Sequence, residues 1–150
     1  MATYINDFSH TVVAADTIRP QTLTATANGL PVDVAPIGAN GLSARLSAGA
    51  VSGTSPTLNV KMQASPDGSG SWVDIPGAAF TQVTAANQTQ TIRFQMPPAP
   101  NATAPAYRYV RAVATIGGTS PSFALAVTVF GLRKHPEPLQ GAQSAPPDIN

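Results

Sequence analysis

Apolar residues recur at every second position through most of this chain. Gln21-Thr22-Leu23-Thr24-Ala25-Thr26-Ala27 alternates without a break, the period of a strand with one covered face. Leu58, Val60, Met62 and Ala64 share one face, opposite Asn59, Lys61 and Gln63. Ile92, Phe94 and Met96 do the same within residues 89–96. In residues 106–116, Val110, Ala112, Ala114 and Ile116 oppose Tyr107, Tyr109, Arg111 and Val113. Shorter strands are expected at 32–37, 42–46 and 72–75, the first at a sheet edge because of Pro31 and Pro36. The segment from Phe123 to Phe130 is apolar on both faces, which predicts a central strand. No segment of any length repeats with a helical period.

Turn chemistry separates these runs. Asn28-Gly29, Asn40-Gly41, Pro66-Asp67-Gly68-Ser69-Gly70 and Pro76-Gly77 are turn or loop signals. Two nearly identical pentapeptides, Gly53-Thr54-Ser55-Pro56-Thr57 and Gly118-Thr119-Ser120-Pro121-Ser122, read as turns that each open a strand. Eight or so short strands of this kind predict an all-β fold, an antiparallel β-sandwich or jelly-roll-like barrel. Residues 1–20 follow neither period, and residues 133–150 carry Pro136, Pro138, Pro146 and Pro147 with little to form a core. The expected organisation is an N-terminal arm (1–20), a β-sandwich domain (21–132) and a proline-rich C-terminal tail (133–150), the tail extended or disordered when alone. Removal of residues 1–18 should then leave a folded β-domain.

Composition narrows the function. Charged residues make up 10% of the chain against roughly 25% in typical soluble domains, so Thr, Ser, Gln, Asn, Ala and Pro must cover the surface. A net charge of +1 is too small for electrostatic capture of nucleic acid and leaves little repulsion between neighbouring copies. The absence of cysteine rules out disulfides and thiolate metal sites. The first residues have neither a basic start nor an apolar run, so no secretory signal is expected. The long apolar run at 116–132 is broken by Gly117, Gly118 and Pro121, which excludes a membrane-spanning helix.

Catalytic chemistry is poorly supplied. The histidines are His10 and His135; His10 with Ser9 and Asp7 or Asp16 lies near the terminus without a nucleophile elbow. Asp67 and Asp74 flank one loop, but Asp67 before Gly68 is an ordinary turn aspartate, and the loop is too sparse in oxygen ligands for calcium. No enzyme activity, cofactor or metal is expected. Trp72, the single tryptophan, is read as a lid on the core, or else as a platform for a sugar. Tyr107 and Tyr109 form a same-face pair suited to an interface, and Arg133-Lys134-His135 is a small basic cluster. In the N-terminal arm, Tyr4, Ile5, Phe8, Val12 and Val13 are candidate anchors to a partner.

The stretch from Val60 to Phe80, with its strand and Ser65-Pro66-Asp67-Gly68-Ser69-Gly70-Ser71-Trp72 hairpin, and the stretch from Tyr107 through Pro121 resemble small virion structural proteins of tailed bacteriophages. The similarity spans about residues 58–132. It implies a β-sandwich attached to the particle as a capsid decoration or cement protein. The implied partners are the major capsid protein and further copies of the chain, a trimer being favoured, with synthesis in the host cytoplasm and residence on the virion. A tail or neck component of the same fold is an alternative. The strand–Asp-Gly–Trp hairpin also resembles discoidin-type and immunoglobulin-like carbohydrate-binding modules, which implies a sugar-binding or adhesin-like surface module built on Trp72.

Overall fold

The computed structural model of the protein describes residues 12–37 and 41–134. Tyr4, Ile5, Phe8, His10, His135 and the tail prolines lie outside them. The described residues form seven antiparallel strands without a helix: β1 (Val12–Leu23), β2 (Ala27–Asn28), β3 (Val32–Asp33), β4 (Leu42–Ser65), β5 (Val73–Ala79), β6 (Gln88–Phe94) and β7 (Tyr109–Leu132). The expected all-β class holds.

The strands are not all short. β4 and β7 each run 24 residues and lie side by side along most of that length. Residues 43–52 of β4 pair with 122–130 of β7, flanked by β6 and β1. Residues 57–65 pair with 109–117, flanked by β5 and by β2 and β3. The two halves close on one apolar core that takes Leu42, Ala44, Leu46, Phe123, Leu125, Val127 and Val129 from the first and Leu58, Val60, Met62, Ala64, Val110, Ala112 and Ala114 from the second. Every second residue points inward, as the alternation predicts. The segment 123–130 is central, between β1 and β4.

The two pentapeptides are therefore not hairpin turns. Each lies inside a long strand where it passes from one half to the other, and the β4–β7 register shifts between Ala48 and Thr57. Gly53 and Gly118 have φ of 110° and 108°, and Ser55 and Ser120 both have 49°. The motifs clasp reciprocally. A Cβ on Gly53 would meet Ser120 O at 2.7 Å and Pro121 Cα at 2.9 Å, while one on Gly118 would meet Ser55 O at 2.7 Å and Pro56 Cα at 3.0 Å. Positive φ, glycine and proline make a tight bend locally; only the distant partner decides between turn and crossing. Beyond each motif the apolar positions correspond: Leu58 with Phe123, Val60 with Leu125, Met62 with Val127, Ala64 with Val129, all buried.

Two other expectations change. Asn28-Gly29 does not close a hairpin: β2 and β3 both run along β7, at Val113–Ala114 and at Tyr109–Val110. Gly29 is needed for close approach instead, because a Cβ there would collide with Thr17 Oγ1 and lie 2.8 Å from Thr17 O. Residues 12–20 belong to β1, which begins its pairing with β7 at Val12 and carries the buried Thr17 and Ile18. The boundary drawn at residue 20 falls inside this strand, and a deletion through residue 18 would remove part of the body. Register shifts at Asp16/Ile18 and Ile18/Gln21 put Thr17 and Ile18 both inward, which erases the alternation. Pro20, Pro31 and Pro76 sit in or beside the outer strands, where a missing N–H costs no ladder bond.

Candidate functional site

Two clusters gather the residues singled out from the sequence. The first is built by pairing the two ends of the described chain. Val12 lies opposite Leu132, Val13 opposite Gly131, and Arg133 bridges to Ile37. Lys134 donates its backbone N–H to Pro36 O at 2.7 Å. Val12, Val13, Arg133 and Lys134, far apart in sequence, thus share one end of the molecule. A cleft of about 270 Å³ opens there between Val12, Ser43, Arg93, Phe130 and Leu132. Leu132 is 64% exposed, the largest exposure among the large apolar side chains described. Val13 packs against the core, so part of its surface is already used within the body. Arg93 and Leu132 belong to this end and were not singled out, since only the fold brings them there.

The second cluster surrounds Trp72, at the opposite reach of β4. The Arg111 guanidinium stacks 4.3 Å from the indole centroid and donates from Nε and Nη2 to Gln63 Oε1 at 3.1 and 2.9 Å. Gln63 Nε2 donates to Asp74 Oδ1 at 2.8 Å, and Lys61 Nζ meets Asp74 Oδ2 at 2.7 Å. Partial burial draws the Arg111 pKa down from its ordinary value, while the Lys61 and Gln63 hydrogen bonds hold Asp74 below the usual carboxylate range. Trp72 is not part of the buried core, so its expected place as a lid is corrected. It is half-buried on the outer face, beneath Arg111.

The tyrosines diverge. Tyr107 precedes β7 and lines a cleft of about 330 Å³ with Trp72, Pro66, Pro100 and Pro105. The Tyr109 ring covers Gly68, where an added Cβ would meet Cγ at 3.0 Å. Arg108 between them forks onto Asp33, from Nε to Oδ1 at 3.0 Å and from Nη2 to Oδ2 at 2.7 Å. That bond lowers the Asp33 pKa and raises that of Arg108.

Hydrogen bonds among its own groups shape the loop that presents Trp72. Buried Ser65 Oγ accepts the Gly68 N–H at 3.0 Å and lies against Gly70 O, and Asp67 Oδ1 accepts the N–H groups of Ser69 and Gly70, each at 3.0 Å. The Gly70 and Ser69 amides, then the Ser65 hydroxyl, pull the Asp67 pKa to about 2. A depressed carboxylate pKa stabilises the folded loop fully above the unfolded value of about 4. That contribution is lost as pH falls through about 2. Acid titration should therefore shift Trp72 emission in this window, with the shift abolished in Asp67→Asn. An unchanged titration in the variant would dissociate Asp67 from the loop. The turn role expected for Asp67 is what its bonds describe. Among the described residues no group of three or more His, Cys, Asp or Glu is placed to hold a metal, and no helix is long and apolar enough to cross a membrane.

No protein-family model and no curated protein matches the chain. A chain in the structure of infectious bursal disease virus, Gx strain, superposes with a TM-score of 0.53 at 8% identity, over 83% of this chain and 33% of that one. The likeness is one of fold. At this identity it extends to the β-sandwich body and not to individual side chains, and this chain spans about a third of the viral one. Neither cluster contains a nucleophile beside a base. What both offer is contact: an apolar, basic-rimmed end where the two ends of the described residues meet, and an aromatic cleft.

Proposed function

We propose that the protein is a virion structural component, a decoration or cement protein that binds the outside of a tailed-phage capsid through its terminal end. The fold shared with a chain of a virus structure carries this reading. The resemblance of residues 58–132 to phage virion structural proteins supports it, and so does a surface poor in charge. Docking uses the end where Val12, Leu132, Arg133 and Lys134 meet. Tyr4, Ile5 and Phe8 precede this end in the sequence and are assigned as anchors to the major capsid protein. An arm that orders only on docking loses entropy there but can cover a wide area. The chain itself associates as a homo-oligomer, with a trimer favoured.

The test is co-sedimentation with shells assembled from the major capsid protein of the same genome. The full chain should bind to saturation and occupy lattice positions in electron micrographs. Removing residues 1–11, which leaves β1 whole, should keep the strand-type circular dichroism spectrum yet weaken binding at least about tenfold. Failure of the full chain to sediment with shells, or its confinement to the tail, would overturn the assignment. Unchanged occupancy after the truncation would remove the arm from it. The Trp72 cleft favours a second reading, a sugar-binding surface module whose signature is quenching of Trp72 by a polysaccharide.

A further inference from the structure

The pentapeptides at 53–57 and 118–122 clasp each other about one point, and the strand pairing around that point repeats itself. A two-fold relation carries every contact onto an equivalent contact. Matching Gly53 with Gly118 carries Leu58 opposite Ile116 onto Phe123 opposite Val51, and Thr57 opposite Gly117 onto Ser122 opposite Ser52. Farther out, Ala48 with Leu125 falls on Ala114 with Val60, Leu46 with Val127 on Ala112 with Met62, and Ala44 with Val129 on Val110 with Ala64. A step of one residue, at the register shift between Ala48 and Val51, separates these rows from the inner ones.

The outer strands obey the same relation. β6 flanks the start of β4 as β3 flanks the start of β7, with Ile92 opposite Ala44 and Val32 opposite Val110. Two residues on, Phe94 and Val34 are both buried. β5 flanks the end of β4 as β1 flanks the end of β7, with Asp74 opposite Gln63 and Asp16 opposite Thr128. Each aspartate accepts a hydrogen bond from the side chain facing it, Asp74 from Gln63 Nε2 at 2.8 Å and Asp16 from Thr128 Oγ1 at 2.6 Å. In both strands the register breaks just past that pair, and the next residue, Ile75 or Thr17, is buried. Leu58 bridges to Val83 where Phe123 pairs with Leu23. We propose that the body is one β-unit present twice in circularly permuted order. The first copy is β2–β3–β4–β5; the second is β6–β7–β1, its last strand standing first in the chain. Each crossing strand enters both halves of the body, so neither copy covers its apolar face without the other. The loop joining β4 to β5 then has its counterpart where Leu132 lies opposite Val12. The Trp72 loop and the terminal end are equivalent places on a doubled scaffold, whatever partner either one meets.

The experiment exchanges equivalent core rows in the full chain and follows urea denaturation. A half exchange carries Ala44→Val, Leu46→Ala, Val110→Ala and Ala112→Leu, which keeps the composition but breaks both rows, overfilling one place and emptying another. It should lower the midpoint by at least about 1 M. A matched exchange adds Met62→Val, Ala64→Val, Val127→Met and Val129→Ala, so that each row moves whole into its counterpart. It should recover at least about half of the loss. A matched exchange no more stable than the half exchange would overturn the equivalence. A full-length permutant, opened between Ser69 and Gly70 with residue 150 joined to residue 1, is the second test and decides alone if neither exchange variant folds. Its strand order, β5–β6–β7–β1–β2–β3–β4, repeats the parent's order under the correspondence. It should keep the strand-type circular dichroism spectrum and one cooperative urea transition. Loss of either would overturn the permuted order.

Discussion

Replacing Gly118 by alanine should cost about 2–4 kcal/mol of folding stability, and Gly53→Ala should cost a similar amount. Both glycines have φ near 110°, where an L side chain is strained. Both also lie within 3.0 Å of the opposing strand's backbone as measured from an added Cβ: Ser55 O and Pro56 Cα for Gly118, Ser120 O and Pro121 Cα for Gly53. Backbone cannot swing aside as a flexible side chain can. The strands must part at the point where both change halves. Against a total of about 5–15 kcal/mol for a typical domain, either change approaches global failure. Urea denaturation should show a lower midpoint with little change in slope. Gly70→Ala is the control, since open space surrounds that position and its φ is not positive; it should stay within about 0.5 kcal/mol. Because each motif forms the other's wall, the double variant should lose less than the sum of the single losses. Strict additivity would show that the two crossings do not depend on each other.

The same motifs show where sequence reasoning succeeds and where it stops. Period-two alternation is a local property of a strand, so the alternate positions from Leu58 to Ala64 and from Val110 to Ala114 could be assigned inward before any fold was known, and they are buried; Phe123 to Phe130, apolar on both faces, could be placed centrally but given no inward face. Whether Gly53-Thr54-Ser55-Pro56 reverses the chain or carries it onward depends on a partner 65 positions away. Local propensity is the same in either case. Asn28-Gly29 misleads for the same reason: its glycine answers to the crowding of Thr17, not to a reversal. β1 was hidden because two bulges place Thr17 beside Ile18 on the inside and destroy the period by which a strand is recognised.

The candidate sites divide likewise. Trp72, Tyr107 and the basic pair Arg133–Lys134 stand out by residue type, and so were visible. That Arg111 would cover the indole, or that Val12 would lie opposite Leu132, follows only from β4 and β7 running as continuous strands. Once that pairing exists, both extremities of the described chain are brought to one end of the body. An adhesive role for that end therefore comes from topology, with Leu132 and Arg93 as members that no motif could have announced.

Thr17→Val should be the second severe change, a loss of about 2–4 kcal/mol despite nearly identical shape. Thr17 is 1% exposed, and its hydroxyl joins three elements. Oγ1 accepts the Ala112 N–H of β7 at 2.9 Å and donates to Leu30 O, between β2 and β3, also at 2.9 Å. Valine fills the space but pairs with neither group. The Ala112 amide is left buried without its partner, at about 1–3 kcal/mol, and the part-buried Leu30 carbonyl loses its bond as well. Thr17→Ser keeps the hydroxyl and loses one methyl, so it should cost only about 1 kcal/mol. Valine should also accelerate hydrogen exchange at the Ala112 amide, whereas serine should not. Equal losses for the two variants would mean that packing against Gly29, and not the hydroxyl's pairings, holds β1 to the rest. If valine is the worse, β1 is an integral strand with an anchor at residue 17. Any arm able to leave the body must then lie before Val12, and truncations meant to separate adhesion from folding must stop there.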